Sequence, residues 1–189
     1  HGPPAIFVAS VLGAAPERML FSVNHKPGTL SWSPDGKFIA TSDAPAQSNA
    51  TSIVLFSPDT GEKRTLTTPP AQYWADFTPA FSPDSKSVAF VRMSTPITGD
   101  IYVVPITGGE PRRITHDNSR HEFDSGVYGG VTWTEDGTEL IFSSTRGGTS
   151  SLWRVAVAGG EPERLPVGGD NSYYPSVSLK GHRLAYTRL

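Results

Sequence analysis

The densest concentration of metal-binding and acid–base side chains in the 189-residue sequence is His116-Asp117-Asn118-Ser119-Arg120-His121-Glu122-Phe123-Asp124. Two imidazoles and three carboxylates make a mixed nitrogen and oxygen donor set of the kind that holds a metal ion. His116, His121 and Asp124 are the candidate ligands. Their spacing fits no specific metal motif, and a polar run of this kind equally suits a solvated connection between strands. Nucleophilic hydrolysis asks for a serine near a histidine and a carboxylate. No G-x-S-x-G elbow is present, and Ser125, between Asp124 and Gly126, reads as a turn residue. Glycoside cleavage needs two carboxylates converging from different blades of the repeat described below, and apart from the turn aspartates no Asp or Glu stands out at matching positions of several blades. The sequence has no cysteine, which excludes thiolate chemistry and a disulfide framework. His1, His25 and His182 are scattered. His182 takes the place held by Lys37 and Lys86 in related turns, so it reads as a solvated turn residue.

The elements that position these groups follow from a repeat. One motif reads SWSPDGKFIA at 31–40, AFSPDSKSVAF at 80–90, TWTEDGTELIF at 132–142 and SVSLKGHRLAY at 176–186. A second alternates with it: IFVASVLGAAPERML at 6–20, IVLFSPDTGEKRTLT at 53–67, IYVVPITGGEPRRIT at 101–115 and LWRVAVAGGEPERLP at 152–166. The turn of the first motif recurs at 33, 82, 134 and 178, intervals of 49, 52 and 44 residues. A fixed period of roughly 40–50 residues is that of propeller blades. In the turn, Pro34 presets φ and Gly36 accepts a positive φ, with short apolar runs on either side, so the segment is a hairpin. Gly108-Gly109 and Gly159-Gly160 turn the second hairpin. Pro111 and Pro162 suit an outer edge strand, and Arg112, Arg113, Glu163 and Arg164 would discourage edge-to-edge aggregation there.

The chain is therefore expected to be all-β, a single β-propeller domain over 1–189 built from four-stranded antiparallel blades. Complete blades are expected at about 28–67, 74–115 and 128–166. Residues 173–188 supply the first two strands of a further blade and 5–20 the last two. These halves are complementary and could pair to close a ring of four blades; the other reading is a piece of a longer propeller, within the usual range of about 4–8 blades. Trp32, Trp133 and Trp153 are expected to pack between blades.

Bulk composition agrees. Hydrophobic residues make up 37% and charged residues 18%, and 19 Gly and 17 Pro punctuate many turns. The net charge of −2 offers no surplus to neutralise a phosphate backbone, so nucleic-acid binding is not expected. No run of about 18 apolar residues exists, so no membrane insertion is expected. Residues 5–15 are apolar but lack the basic start of a secretory signal, and the repeat assigns them to a strand and turn.

At these residues the sequence resembles the TolB-like propeller repeats, a WD-like class marked by the Ser-Pro-Asp-Gly turn. Similar blades occur in TolB, in the tricorn protease and in dipeptidyl-peptidase-like enzymes. The segments FSPDSKSVAF, IYVVPITGGEPRRIT, SLWRVAVAGGEPERLPVGG and YYPSVSLKGHRLAYTR look closest to the propeller region of bacterial CadC-like regulators and receptor kinases. The resemblance implies a scaffold more than a function. It implies the bacterial periplasm or either side of the inner membrane, and by analogy alone a calcium ion in or near the central channel, since no EF-hand pattern is present. Departures are Ser85 in place of the turn glycine, Thr134-Glu135 in place of Ser-Pro, and Ser178-Leu179-Lys180-Gly181 without Pro-Asp. Ser85 should hold a positive φ, so Ser85→Gly is expected to stabilise by about 1 kcal/mol.

In a propeller the loops leading into the innermost strands gather around the channel. Here they carry Gln72, Tyr73, Trp74 and Asp76 in one blade, His121, Asp124 and Tyr128 in the next, and Asn171, Tyr173 and Tyr174 in the last. Aromatic rings with a few polar groups suit recognition. They also suit packing between blades, except that Asp76 and Asp124 fit a channel mouth better than a core. The candidate ligand-binding residues are thus Trp74, Asp76, His121, Asp124, Tyr128, Tyr173 and Tyr174. The expected role is a non-catalytic sensor or interaction module that binds a protein segment or small ligand at one propeller face. The alternatives are a propeller hydrolase or lyase with a channel-mouth metal, and blades that only scaffold a larger regulator or transport-associated protein. A closed ring would be a monomer; open half-blade edges would make a dimer.

Overall fold

The computed structural model describes residues 4–13, 16–24, 28–45, 50–116, 118, 123–124, 127–128 and 130–189. Its order is a hairpin β1 (Ala5–Val8) and β2 (Arg18–Ser22); blade I, β3 (Ser31–Trp32), β4 (Ile39–Asp43), β5 (Ser52–Phe56) and β6 (Lys63–Thr65); and blade II, β7 (Ala75–Phe81), β8 (Ser87–Met93), β9 (Gly99–Pro105) and β10 (Arg112–Arg113). There follow a short hairpin of β11 (Phe123–Asp124) and β12 (Val127–Tyr128); blade III, β13 (Val131–Trp133), β14 (Glu139–Ser144), β15 (Ser151–Ala156) and β16 (Glu163–Arg164); and a last hairpin of β17 (Ser172–Val177) and β18 (Leu184–Arg188). Each blade is a four-stranded antiparallel meander in sequence order. No helix occurs among the described residues, and none is long and apolar enough to cross a membrane.

The hydrophobic alternation along β8 shows how the blades stack. Successive side chains of a strand point to opposite faces. Val88 and Phe90 join a core with Ala40, Ile53, Leu55 and Leu66 of blade I. Ala89, Val91 and Met93 join a second core with Val131, Trp133, Leu140 and Phe142 of blade III. One strand thus feeds two cores, which is why β8 is buried nearly throughout.

The Ser-Pro-Asp turns close by local chemistry. The Ser82 hydroxyl donates to Asp84 (2.6 Å) and accepts the Ser87 N–H (2.9 Å), while Asp84 accepts the Lys86 N–H (3.0 Å). Ser33 and Asp35 do the same, and Thr134 with Asp136 repeats it, so threonine replaces serine without loss. Ser85 holds the positive φ expected of it, 61°. Its hydroxyl also accepts the Asp35 N–H of the neighbouring turn (3.1 Å), a contact a glycine would lose.

Three observations refine the expected layout. The third blade's inner strand begins at Val131, because Val127 and Tyr128 are held in a separate hairpin with Phe123 and Asp124. Trp133 is buried, with its indole N–H on the Ala80 carbonyl of blade II (2.9 Å), and Trp153 is half-buried, but Trp32 is 49% exposed. Ser31 turns towards blade II, where its hydroxyl accepts the Phe81 N–H (3.1 Å), so Trp32 on the same strand faces the other way, where no inner strand covers it among the described residues. Finally, β1–β2 and β17–β18 are two separate two-stranded sheets, not joined to each other. The first packs on blade I by stacking Phe21 on Phe56 (4.2 Å between centroids).

Candidate functional site

Each inner strand runs from one end of the blade to the other, so the molecule has two working faces. The loop face carries the segments leading into β7, β13 and β17. The turn face carries the Ser-Pro-Asp turns.

On the loop face the best-defined group belongs to blade II. The Trp74 N–H bonds to the Met93 carbonyl (2.7 Å) and that of Tyr73 to Pro70 (2.8 Å), which fixes the approach to β7. The Trp74 ring lies against Phe77 (5.7 Å) and remains 38% exposed. The Tyr73 hydroxyl meets that of Tyr102 (3.1 Å). Beneath them Arg92 binds both oxygens of Asp76 (2.8 and 2.9 Å) and is surrounded by the rings of Tyr73, Phe90 and Tyr102 at 5.0–5.5 Å. Asp100 holds Arg113 (2.6 Å), Thr115 (2.8 Å) and the Asn118 N–H (3.2 Å). Asp76 is wholly buried at the blade I–II seam, where Thr51 exchanges backbone and hydroxyl bonds with it. Burial pushes its carboxyl above the ordinary carboxylate range, against the pull of Arg92. Burial and the Tyr73 hydroxyl likewise raise the Tyr102 phenol.

The expected loop-face residues therefore separate. Trp74 is presented to solvent. Asp76 is placed away from solvent and serves Arg92. Tyr173 and Tyr174 are half-buried neighbours on β17 (6.1 Å between rings), and Tyr174 sits at a bulge with φ 52°, matching Thr78 on β7 at φ 51°. Asp124 and Tyr128 lie on paired strands. His121 falls outside the described residues. Of the metal-ligand candidates His116 is described, exposed beside Gly160, Glu161 and Pro162 in a recess of ≈ 140 Å³.

The turn face holds a cleft of ≈ 530 Å³ between blades II and III that the sequence reading did not find. Trp133, Val103, Val157 and Pro83 form its apolar wall, with Asp84, Asp136, Glu135 and Arg112 around it. The Asp136 carboxyl is held at about 2 by hydrogen bonds from Thr134 and Thr138, and that of Asp84 is lowered by Ser82 and Lys86, so both are charged at neutral pH. The signal was a difference between repeats: blade I has SPDGKF and blade II SPDSKS. Phe38 supports Arg64, which bridges to the Ile106 carbonyl across the first seam. Ser87 gives Arg112 no such ring, and the second seam stays open.

Four-stranded meanders stacked through alternating faces agree with one further finding: residues 29–189 match the model of the TolB beta propeller domain. The chain belongs to the TolB β-propeller family. An uncharacterized protein of Agrobacterium fabrum is 29% identical over 82% of this chain and 48% of its own length. Dipeptidyl-peptidase 5 of Porphyromonas gingivalis is 24% identical over 74% of this chain and 21% of its own. The crystal structure of TolB from Acinetobacter baumannii superposes with a TM-score of 0.75 at 24% identity, covering 96% of this chain and 42% of that one. The chain thus spans half or less of the length of these three relatives. TolB-type blades serve as binding or structural modules, and the peptidase relative shows that they also accompany enzymes.

Proposed function

We propose that this chain is a non-catalytic binding module that takes a protein segment or small ligand on its loop face, with Trp74 as the anchor and Tyr173 and Tyr174 on the same side. One observation carries the reading. Trp74 is 38% exposed with its ring resting on Phe77 and its N–H fixed on the Met93 carbonyl, so a large aromatic ring stands on rigid support. Preorganised aromatic anchors dominate recognition energetics. The charges of the same blade, paired as Arg92 with Asp76 and Arg113 with Asp100, hold the blade together rather than reach a ligand.

The test selects peptides from a random displayed library on the wild-type domain and measures their affinity by fluorescence anisotropy. Trp74→Ala should weaken the selected peptides at least about tenfold with unchanged melting, as loss of an anchor does. Peptides that bind Trp74→Ala as tightly as wild type would place recognition elsewhere.

A further inference from the structure

On the turn face, backbone hydrogen bonds align the two seams residue by residue. The Ser33 N–H donates to the Phe38 carbonyl as that of Ser82 donates to Ser87, so Phe38 and Ser87 hold one position of the repeat. Arg64 pairs with Leu55 and Arg112 with Val103. Leu55 and Val103 stand at matching places, because Ile53 and Ile101 before them accept the N–H groups of Leu66 and Ile114. The two arginines therefore correspond. Ile106 and Val157 correspond as well, since their N–H groups donate to the Lys86 and Thr138 carbonyls of matching turns.

The first seam uses all three positions. Phe38 and Ile106 pack on the same core, the Arg64 guanidinium lies over the Phe38 ring (5.9 Å), and it donates to the Ile106 carbonyl across the seam. Ser85 adds its hydroxyl to the Asp35 N–H. The second seam lacks these closures. Ser87 brings no ring. Arg112 is exposed, and no bond joins it to Val157 among the described residues. Gly137 stands where Ser85 stands, against Pro83, with no hydroxyl to offer Asp84. The space left is the cleft of ≈ 530 Å³ walled by Trp133, Val103 and Val157. It lacks an aromatic ring beneath an arginine.

The rim adds a charge preference. Asp84 and Asp136 stand on the turns of the two blades, and each spends its Oδ1 on its own turn. Both stay charged at neutral pH, and Glu135 lines the same cleft. These carboxylates outnumber Arg112 and the Lys86 beside Asp84, so the rim favours a cation.

We propose that the cleft is a second binding site, for a protein segment that carries an aromatic side chain with basic neighbours. The ring takes the place that Phe38 has in the first seam, beneath Arg112 and against Trp133 and Val157. The basic groups meet Asp84 and Asp136. A cleft of this size holds one ring with its neighbours, and a guanidinium over an aromatic face fixes the ring's orientation. The site is on the turn face, away from Trp74.

The experiment titrates the nitrogen-15-labelled chain with the peptide acetyl-Lys-Phe-Lys-amide and follows its amide NMR signals. Saturable shifts are expected at the Trp133 indole and at the amides of Ser87, Arg112 and Val157. Acetyl-Lys-Ala-Lys-amide and acetyl-Glu-Phe-Glu-amide should each bind at least about tenfold more weakly, because each lacks one half of the match. Ser87→Phe supplies the ring from the chain itself, so its melting temperature should rise and the peptide shifts should vanish. Asp84→Asn combined with Asp136→Asn keeps the Oδ1 acceptors of both turns and removes only charge. This double variant should fold and bind Lys-Phe-Lys about tenfold more weakly. Equal binding of the Lys-Ala-Lys peptide would overturn the proposal in favour of unspecific attraction to an acidic surface. Shifts centred on Trp74 would move the peptide to the loop face, and a wild type without saturable shifts would reduce the cleft to a packing gap; either result overturns it. So does a folded Ser87→Phe that binds the peptide as wild type does. Where Ser87→Phe does not fold, the asparagine pair decides, and undiminished binding to it overturns the site.

Discussion

The seam between blades I and II and the seam between blades II and III come from the same repeat but are sealed differently. In the first, the Val88 and Phe90 face of β8 ends in the buried Arg92–Asp76 pair, Arg64 crosses to Ile106, and Ser85 ties its turn to Asp35. In the second, the opposite face of β8 meets an apolar wall of Trp133, Leu140 and Phe142, and the outer end opens into the cleft. The repeat thus specifies the stacking of two hydrophobic faces and leaves the polar trimming to each seam. Function can be written into that trimming without disturbing the fold.

Removing one charge from the first seam should have the largest effect. Asp76→Ala leaves Arg92 buried without its partner, which costs about 3–5 kcal/mol in such pairs. Replacing both, as Asp76→Ala with Arg92→Met, should recover most of that loss, because an apolar pair suits a seam whose neighbour is already apolar. Urea unfolding of the single and double variants measures the difference. A double variant as unstable as the single one would mean that the ion pair, and not hydrophobic stacking, defines the first seam.

The turns and the blade plan were legible because their chemistry is local. Ser82, Asp84, Lys86 and Ser87 bond within six residues, so composition and spacing reveal them, and Ser85 takes the expected left-handed conformation. What was not legible depends on distant partners. Asp76 looked like a channel-mouth acid, but the regular β7–β8 pairing sets it opposite Arg92. Trp32 holds the place in the repeat that Trp133 holds, yet it is exposed where Trp133 is buried, because no inner strand of a preceding blade lies against it among the described residues. The open cleft rests on Ser87 standing where Phe38 stands, a difference that has meaning only once the path of Arg64 is known. On the loop face, residue type and position name Trp74 as a candidate, whereas the Arg92–Asp76 and Arg113–Asp100 pairs of the same blade required the fold.

Acid separates what the seams share from what is particular to one. Asp35, Asp84 and Asp136 are held below their usual values in the turns of all three blades. A depressed carboxyl contributes stability that is complete above its unfolded value, near 3.8, and is lost as pH falls, for Asp136 through about 2. Asp76 has the opposite sign: with a raised value the folded state holds its proton more tightly than the unfolded chain. Its ionisation therefore costs stability as pH rises above the usual carboxylate range. Melting temperatures between pH 2 and 5 should fall with acid in wild type and in Asp76→Asn, and fall less in Asp136→Asn. A flat acid limb in Asp76→Asn, with Asp136→Asn unchanged, would show that the first seam governs acid unfolding.

The smallest expected effect is at Ser85, where local strain and the seam oppose each other. A glycine relieves the positive φ of 61°, worth about 1 kcal/mol. It also removes the hydroxyl that accepts the Asp35 N–H, and a hydrogen bond of this kind contributes about 0.5–1.5 kcal/mol. The two terms nearly cancel, so Ser85→Gly should shift stability by less than about 0.5 kcal/mol, against the full gain that the turn alone would suggest. His182, also at positive φ, tests the same logic in the last turn. Its ring meets Glu135 of the third turn while remaining largely exposed, so that contact adds little and relief of strain should dominate. Thermal melting of Ser85→Gly and His182→Gly side by side separates the cases. A gain at Ser85 as large as that at His182 would show that the Asp35 contact contributes nothing to the first seam.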